Sequence, residues 1–331
     1  MVKTGKIFST LTATLFLAAL LVSGGTAEAK TRLAFSGGPD GGTFQYFSNA
    51  ISSRLSRNLP NVEVSNMASA GSVENLRRVN SGDADFGVVY AGDIYLGMKG
   101  ELTNDTREYK NVMGMAYLYG APAHLVVLAD SGITKVEDLA GKRVAVGPAG
   151  SGAAASAQRY FTGIGMWDKI RVEYIGYSQA AAAMGDKLLD AMWVFAGFPN
   201  SSVIQAAASN KITILSLNEA GDNSTFFNDN PYYAKVVIPK GTYSGVDYDV
   251  QTFQDSTIWV AGKHVKDDIV AASLKEIFSD EGLAFMVSVT STAAAMSVED
   301  GLMGIVTPLH KGAISFWTEK DKSFSDAQLG K

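Results

Sequence analysis

The chain has 331 residues, 47% of them hydrophobic and 18% charged, with a formal net charge of −5 and no cysteine. That composition suits a globular protein of up to two domains with sizeable cores and excludes disordered and fibrous classes. The acidic balance argues against nucleic acid as a partner, since phosphate neutralisation needs clustered Lys and Arg. The lack of cysteine removes disulfides, thiol nucleophiles and a lipid-attachment cysteine.

Residues 1–29 carry Lys3 and Lys6, an apolar run centred on Leu15 to Val22, and the small-x-small triplet Ala27-Glu28-Ala29. These are the three parts of a secretory signal, with cleavage expected near Ala29. Thr10, Thr12 and Thr14 interrupt the run, which argues against a membrane anchor. Removing the segment leaves 26 basic against 32 acidic residues, a net charge of −6. The mature protein is therefore expected outside the cytoplasm, in the periplasm, without a lipid anchor.

From Lys30 onward, strand-like runs alternate with helical spacing. The runs are TRLAF (31–35), VEVSNM (62–67), DFGVVY (85–90), VMGMAYLY (112–119), HLVVLAD (124–130), RVAVGP (143–148), RVEYIGY (171–177), AMWVFAG (191–197) and ITILSL (212–217). Val73, Leu76 and Val79 illustrate the helical spacing between them. This predicts a parallel α/β arrangement. Asp85 to Gly92 (DFGVVYAG) and Asp190 to Gly197 (DAMWVFAG) echo one another, and each lies downstream of a glycine-rich strand-to-helix loop, Gly37 to Gly42 and Gly147 to Phe161. Two similarly wound lobes follow, 30–119 with 241–331 and 120–240. The breakers Gly120-Ala121-Pro122 suggest the first crossing between them, and a return is expected near Val236 to Gly245. The segments VKDDIVAASLKEIFSD (265–280) and GAISFWTEK (312–320) read as amphipathic helices packed on the first lobe.

Neither glycine loop satisfies a nucleotide motif. The dinucleotide fingerprint fails at Pro39 and at Ala155, and no lysine follows Gly42 or Gly152 as a phosphate loop requires. What remains is the partial positive charge and unpaired N–H groups of a helix start, which glycine lets a carboxylate approach closely. Ser36, Thr43 and Ser151 offer hydroxyls there, or cap the helices instead. The loops 69–73, 90–96 and 195–202 contain no Lys or Arg, so neutral donors are expected to hold any anion. Strand ends facing the next helix place Thr43, Ser72, Tyr90, Ser151 and Gly197 at such a site.

Catalysis has little support. His124, His264 and His310 are far apart and show no metal-ligand spacing, and Ala149 stands where a nucleophile elbow around Ser151 needs glycine. An exported hydrolase using Ser151 lacks a base. Tyr232-Tyr233 is read as one core and one surface ring, since adjacent strand residues face opposite ways. No catalytic residue, metal or cofactor is expected.

In order along the chain, SGGPDGGTF, SAGSVENLRRVNSGDADFGVV, DLAGKRVAVGPAGSG, VFAGFPN, PYYAKVVIPKGTYSG and LHKGAISFWTEK resemble the TAXI family of solute-binding receptors of TRAP transporters. The resemblance implies a type II periplasmic binding protein, two α/β lobes joined by a hinge and closing on a small organic anion such as glutamate, a dicarboxylate or a 2-oxo acid. A sodium-coupled TRAP permease would receive the solute, and the receptor would be monomeric. A sensory receptor feeding a membrane kinase would use the same cleft. Asp93 matches an aspartate frequent in the family, either as a helix cap or as partner to a ligand ammonium. The sequence departs from the family at Ala91, Ala153 and Gly120-Ala121, where polar groups are usual. The expected ligand-binding set is Ser36, Gly42, Thr43, Phe44, Ser72, Tyr90, Asp93, Tyr119, Ser151, Gly152, Ala153, Phe195 and Gly197.

Overall fold

The structure, a computed structural model, describes residues 30–103 and 105–331. The expected signal segment and its cleavage site lie outside the described residues. In chain order the first half runs β1 (Thr31–Ser36), α1 (Thr43–Asn58), β2 (Val62–Met67), α2 (Ser72–Ser81), β3 (Phe86–Tyr90), α3 (Ala91–Lys99) and β4 (Val112–Leu128). Then come β5 (Arg143–Ala145), α4 (Gly152–Gly163), β6 (Arg171–Glu173), α5 (Tyr177–Gly185), β7 (Ala191–Phe195), α6 (Ser201–Ser209) and β8 (Ile212–Leu215). The rest comprises α7 (Asn218–Asp222), α8 (Phe226–Asp229), β9 (Ala234–Ile238), β10 (Val250–Gly262), α9 (Asp267–Ile277), α10 (Asp280–Val289) and α11 (Lys311–Thr318).

Strand order is β2-β1-β3-β10-β4-β7-β5-β6, with β8 on β4 and β9 on β10. The predicted parallel pairing holds within each lobe, β2-β1-β3 in one and β7-β5-β6 in the other. Between them β4 and β10 run antiparallel to their neighbours. Helices form because their apolar residues recur on one face: Phe44, Phe47, Ile51 and Leu55 of α1, and Val73, Leu76 and Val79 of α2, are all buried. Helix α2 ends on Gly82, whose φ of 83° is the left-handed cap that glycine adopts without strain.

The echoed sequences do the same work in both lobes. Asp85 accepts the N–H of Ala34 at 2.7 Å, and Asp190 accepts the N–H of Arg143 at 2.8 Å, so each ties its strand to the first strand of its lobe. Five residues after each aspartate stand Tyr90 and Phe195, whose rings meet edge-on at 4.9 Å between centroids.

At two places the strands run differently from the expected breaks. Gly120-Ala121-Pro122 does not break the chain: β4 runs unbroken through it for 17 residues. Pro122, which has no N–H to give, sits where β4 changes partner, opposite Gln254 of β10, with Ala123 beginning the ladder to Phe195 of β7. The segment Val236 to Gly245 is not the return. It holds the end of β9 and the following turn, while β10 pairs with β9 through Val250 to Gln254 and with β3 through Thr257 to Ala261. Two adjacent antiparallel strands, β4 and β10, thus link the lobes. Helices α9 and α11 pack against each other, α9 also meeting α1 and α11 meeting β4. No helix among the described residues is long and apolar enough to cross a membrane.

Candidate functional site

Four helices start at one point between the lobes. Thr43 opens α1, Ser72 opens α2, Gly152 opens α4 and Tyr177 opens α5, and all four residues line a single small cavity. Their first-turn N–H groups have no acceptor within their own helices. Glycine precedes three of these starts, Gly42, Gly71 and Gly176, and none of the three helices has a side-chain cap. Gly71 has φ 126°, backbone open to glycine alone at ordinary cost. The fourth start, α4, is capped by Ser151, whose Oγ accepts the N–H of Ala154 at 3.0 Å.

The remaining walls are Pro39, Phe44, Ala70, Tyr90, Ala153, Phe195 and Ala196. No lysine, arginine, aspartate or glutamate lines the cavity. Its electrostatics come from four helix N-terminal ends, which favour a negative group. Tyr90 donates to the carbonyl of Phe195, and Tyr177 donates to the same carbonyl at 3.1 Å. Burial pushes both phenols above their usual range, Tyr90 further through Tyr177, Tyr119 and Asp93, so both remain neutral donors.

Of the expected set, the cavity brings together Gly42, Thr43, Phe44, Ser72, Tyr90, Ser151, Gly152, Ala153 and Phe195. Four residues stand off it. Ser36 is buried and donates to Asn75 Oδ1 at 2.6 Å. Tyr119 packs on Phe47 at 4.7 Å, and Gly197 lies against Tyr119 and Thr292. Asp93 is fully buried behind the wall. It is not the cap of α3, whose N-cap is Tyr90, and its carboxylate forms an ion pair with Arg159 of α4. Ser72 is likewise not a cap: its Oγ accepts the N–H of Tyr90 at 2.9 Å, tying α2 to the end of β3.

Arg159 was missed in the sequence. Its Nη1 donates to the Tyr233 hydroxyl at 2.8 Å, and its guanidinium lies 5.9 Å from the Tyr232 ring centre. Burial works against its charge, but Tyr233 and Asp93 more than offset this and hold its pKa above the usual value. Asp255 of β10 completes the cluster, accepting the N–H of Gly92 at 3.1 Å. Burial, then the charge of Asp93, push its pKa far above the carboxylate range. Tyr232 and Tyr233 precede β9 in a turn, so the strand alternation that separates one ring from the other does not apply, and both face Arg159. Tyr177 and Ala196 were also missed, though both lie at the ends of strand-like runs, 171–177 and 191–197. Among the described residues no three His, Asp or Glu side chains converge as a metal-binding group.

The walls meet across the lobes elsewhere too. Gly41's carbonyl accepts from Asn200 Nδ2 at 3.2 Å and from Ser201 Oγ at 3.1 Å. The cavity encloses about 20 Å3, room for about one water.

Comparison with solved structures gives the same architecture at low identity. MatC of Rhodopseudomonas palustris, solved with bound malate, is 14% identical with a TM-score of 0.54, over 87% of this chain and 97% of its own. A protein described as an L-cystine ABC transporter from Listeria monocytogenes is 14% identical with a TM-score of 0.50, over 81% and 98%. The alkanesulfonate-binding protein SsuA from Xanthomonas axonopodis pv. citri, bound to MOPS, is 14% identical with a TM-score of 0.49, over 88% and 91%. The fold is the α/β periplasmic-binding-protein fold. The family model that matches covers residues 35–320, nearly all of the described chain, and by it this protein belongs to the NMT1-like family.

Proposed function

We propose that the chain is an extracytoplasmic solute-binding receptor that closes its two lobes on a small organic anion and hands it to a membrane permease. The observation that carries the reading is the convergence of four helix starts on one interlobe cavity free of charged side chains. Such a site binds a carboxylate through backbone N–H groups and helix dipoles, and the apolar walls Phe44, Tyr90 and Phe195 cover the rest of a small solute. The antiparallel pair β4 and β10 supplies a hinge about which the lobes part to admit it. The glutamate, dicarboxylate and 2-oxo acid class is the expected solute, and the malate bound to the structurally similar MatC supports an organic acid. A TRAP-type sodium-coupled permease is the expected partner on the TAXI resemblance, and the expected signal in residues 1–29 supports a periplasmic location.

A thermal-shift screen of organic acids and amino acids tests this. The true solute at 100 times its dissociation constant adds about 2.7 kcal/mol of stability. A panel of small acids that leaves the melting temperature unmoved at millimolar concentration refutes the reading.

A further inference from the structure

Resting on that receptor reading, we infer that Arg77 is a solute-binding residue that receives a second carboxylate, and that the solute is therefore a diacid. The small cavity is not alone at the seam between the lobes. Beside it opens a groove of about 410 Å3, with Val73 and Arg77 on one side and Ser151, Gln158 and Tyr174 on the other. Ser151 lines both spaces, so the loop that starts α4 is the partition between them. That loop belongs to the second lobe. When the lobes part it leaves with α4, and cavity and groove become one cleft.

What stays on the first lobe does not depend on how tightly the lobes close. Ser72 and Val73 open α2, and Arg77 stands on the same helix five residues past Ser72, about 7.5 Å along the axis. Long helical side chains slant back toward the N-terminus, which brings the guanidinium nearer the level of the helix start. Arg77 Nε donates to Asp105 Oδ2 at 3.1 Å, a contact within the first lobe that fixes the side chain whichever way α4 moves. Asp105 does not neutralise it alone, because the same carboxylate accepts from Arg107 Nε at 2.9 Å and Nη2 at 2.7 Å. Two arginines share one acid, and one positive charge is left over. The one acid of α2, Glu74, is taken by Arg78 and by the N–H of Ala70. Among the described residues the Nη atoms of Arg77 have no hydrogen-bond acceptor, and its side chain is 40% exposed. Nη1 faces across the cleft, 3.7 Å from where a Cβ on Gly150 would stand. A free Nη pair is the fork that takes a carboxylate. A five-carbon diacid spans about 5 Å between its carboxyl carbons, so with one carboxylate at the helix starts the other lies along α2 toward Arg77.

The test is calorimetric titration of the full mature chain with matched pairs that differ only in the distal carboxylate: 2-oxoglutarate and 2-oxovalerate, glutarate and valerate, glutamate and glutamine. For the pair that binds best, the wild type prefers the diacid by at least about tenfold, the lower end of what a charge-assisted hydrogen bond supplies. Arg77→Gln removes that preference by weakening the diacid and leaves the other member of the pair as it was. Arg107→Gln takes the second arginine from the same Asp105 but lines no part of the groove, and it keeps the preference. Should Arg77→Gln not fold, which its melting curve reveals, Arg77→Lys serves in its place: it keeps the charge without the fork and shrinks the preference. A wild type with no preference for the diacid, an Arg77 variant that keeps the preference or weakens both members equally, or the same change in Arg107→Gln overturns the inference while sparing the receptor. Failure of every compound to bind overturns the receptor reading and this inference with it.

Discussion

Ser151 shows how a side chain at the cavity wall divides its chemistry. Its oxygen accepts the N–H of Ala154, so the hydroxyl is committed to starting α4 before any solute arrives. Ser151→Ala should lower stability by about 1 kcal/mol, the usual cost of a lost cap, in denaturant melts. Solute affinity should change far less, because the neighbouring Gly152 and Ala153 amides remain in place; a variant of wild-type stability and strongly reduced affinity would contradict this. At this scale the small residues of the loops stand out in the sequence, because glycine and serine cluster between a strand-like run and a helical one. It did not reveal Arg159, whose setting in AQRYF is that of any amphipathic helix. Its partner Asp93 lies 66 residues away in the other lobe, and only the approach of the two lobes brings them together. Tyr232 and Tyr233 were misjudged for a local reason, a turn standing where a strand was assumed.

Among the elements, β4 carries the clearest consequence. Its short apolar runs were legible, but their fusion across Gly120 to Pro122 was not. That depends on β10 lying alongside, and β10 has no counterpart in the sequence reading. Just past the junction sits His124, fully buried, its Nδ1 facing the carbonyls of Pro122 at 3.0 Å and Val194 at 3.3 Å and its Nε2 facing the Tyr243 hydroxyl at 3.0 Å. Carbonyls only accept, so Nδ1 carries the proton and Tyr243 donates to Nε2. Burial lowers the His124 pKa to about 4. The unfolded value lies near 6.5, so between these limits the unfolded chain binds more protons and stability rises with pH. The contribution is fully present above about pH 6.5 and is lost as pH falls toward about 4, on the order of 3 kcal/mol in all. His310, also lowered by burial, adds in the same direction. The measurement is therefore the difference between wild type and His124→Gln in denaturant melts from pH 4 to pH 7. The variant should show a markedly shallower slope, and parallel curves would rule out a buried neutral His124.

For the molecule as a whole, the two lobes touch at the cavity proposed to hold the solute. The walls leave about 20 Å3, and Tyr90 to Phe195, Asp93 to Arg159, and Asn200 and Ser201 to Gly41 bridge them directly. An organic acid of several carbons does not fit this arrangement, so the proposed function requires that the lobes separate and close again less tightly around it. Gly152 measures how tightly. It belongs to α4 on one side, while the atoms its missing Cβ would meet, Asp93 Oδ2, a Tyr90 ring carbon and the Ser72 Cβ, belong to the other. Two of these are anchored, Asp93 by Arg159 and Ser72 by the backbone of Tyr90, so neither swings away cheaply. Gly152→Ala is thus a wedge between the lobes at a helix position alanine otherwise favours. We expect its ligand-free radius of gyration by small-angle scattering to exceed that of the wild type, and solute affinity to fall by about tenfold or more, since one overpacked contact costs about 1 to 3 kcal/mol. Parting of the lobes relieves the clash, so denaturant stability should stay within about 1 kcal/mol of wild type. An alanine variant as compact as the wild type and equally good at binding would mean that the closed contact at Gly152 does not form in solution.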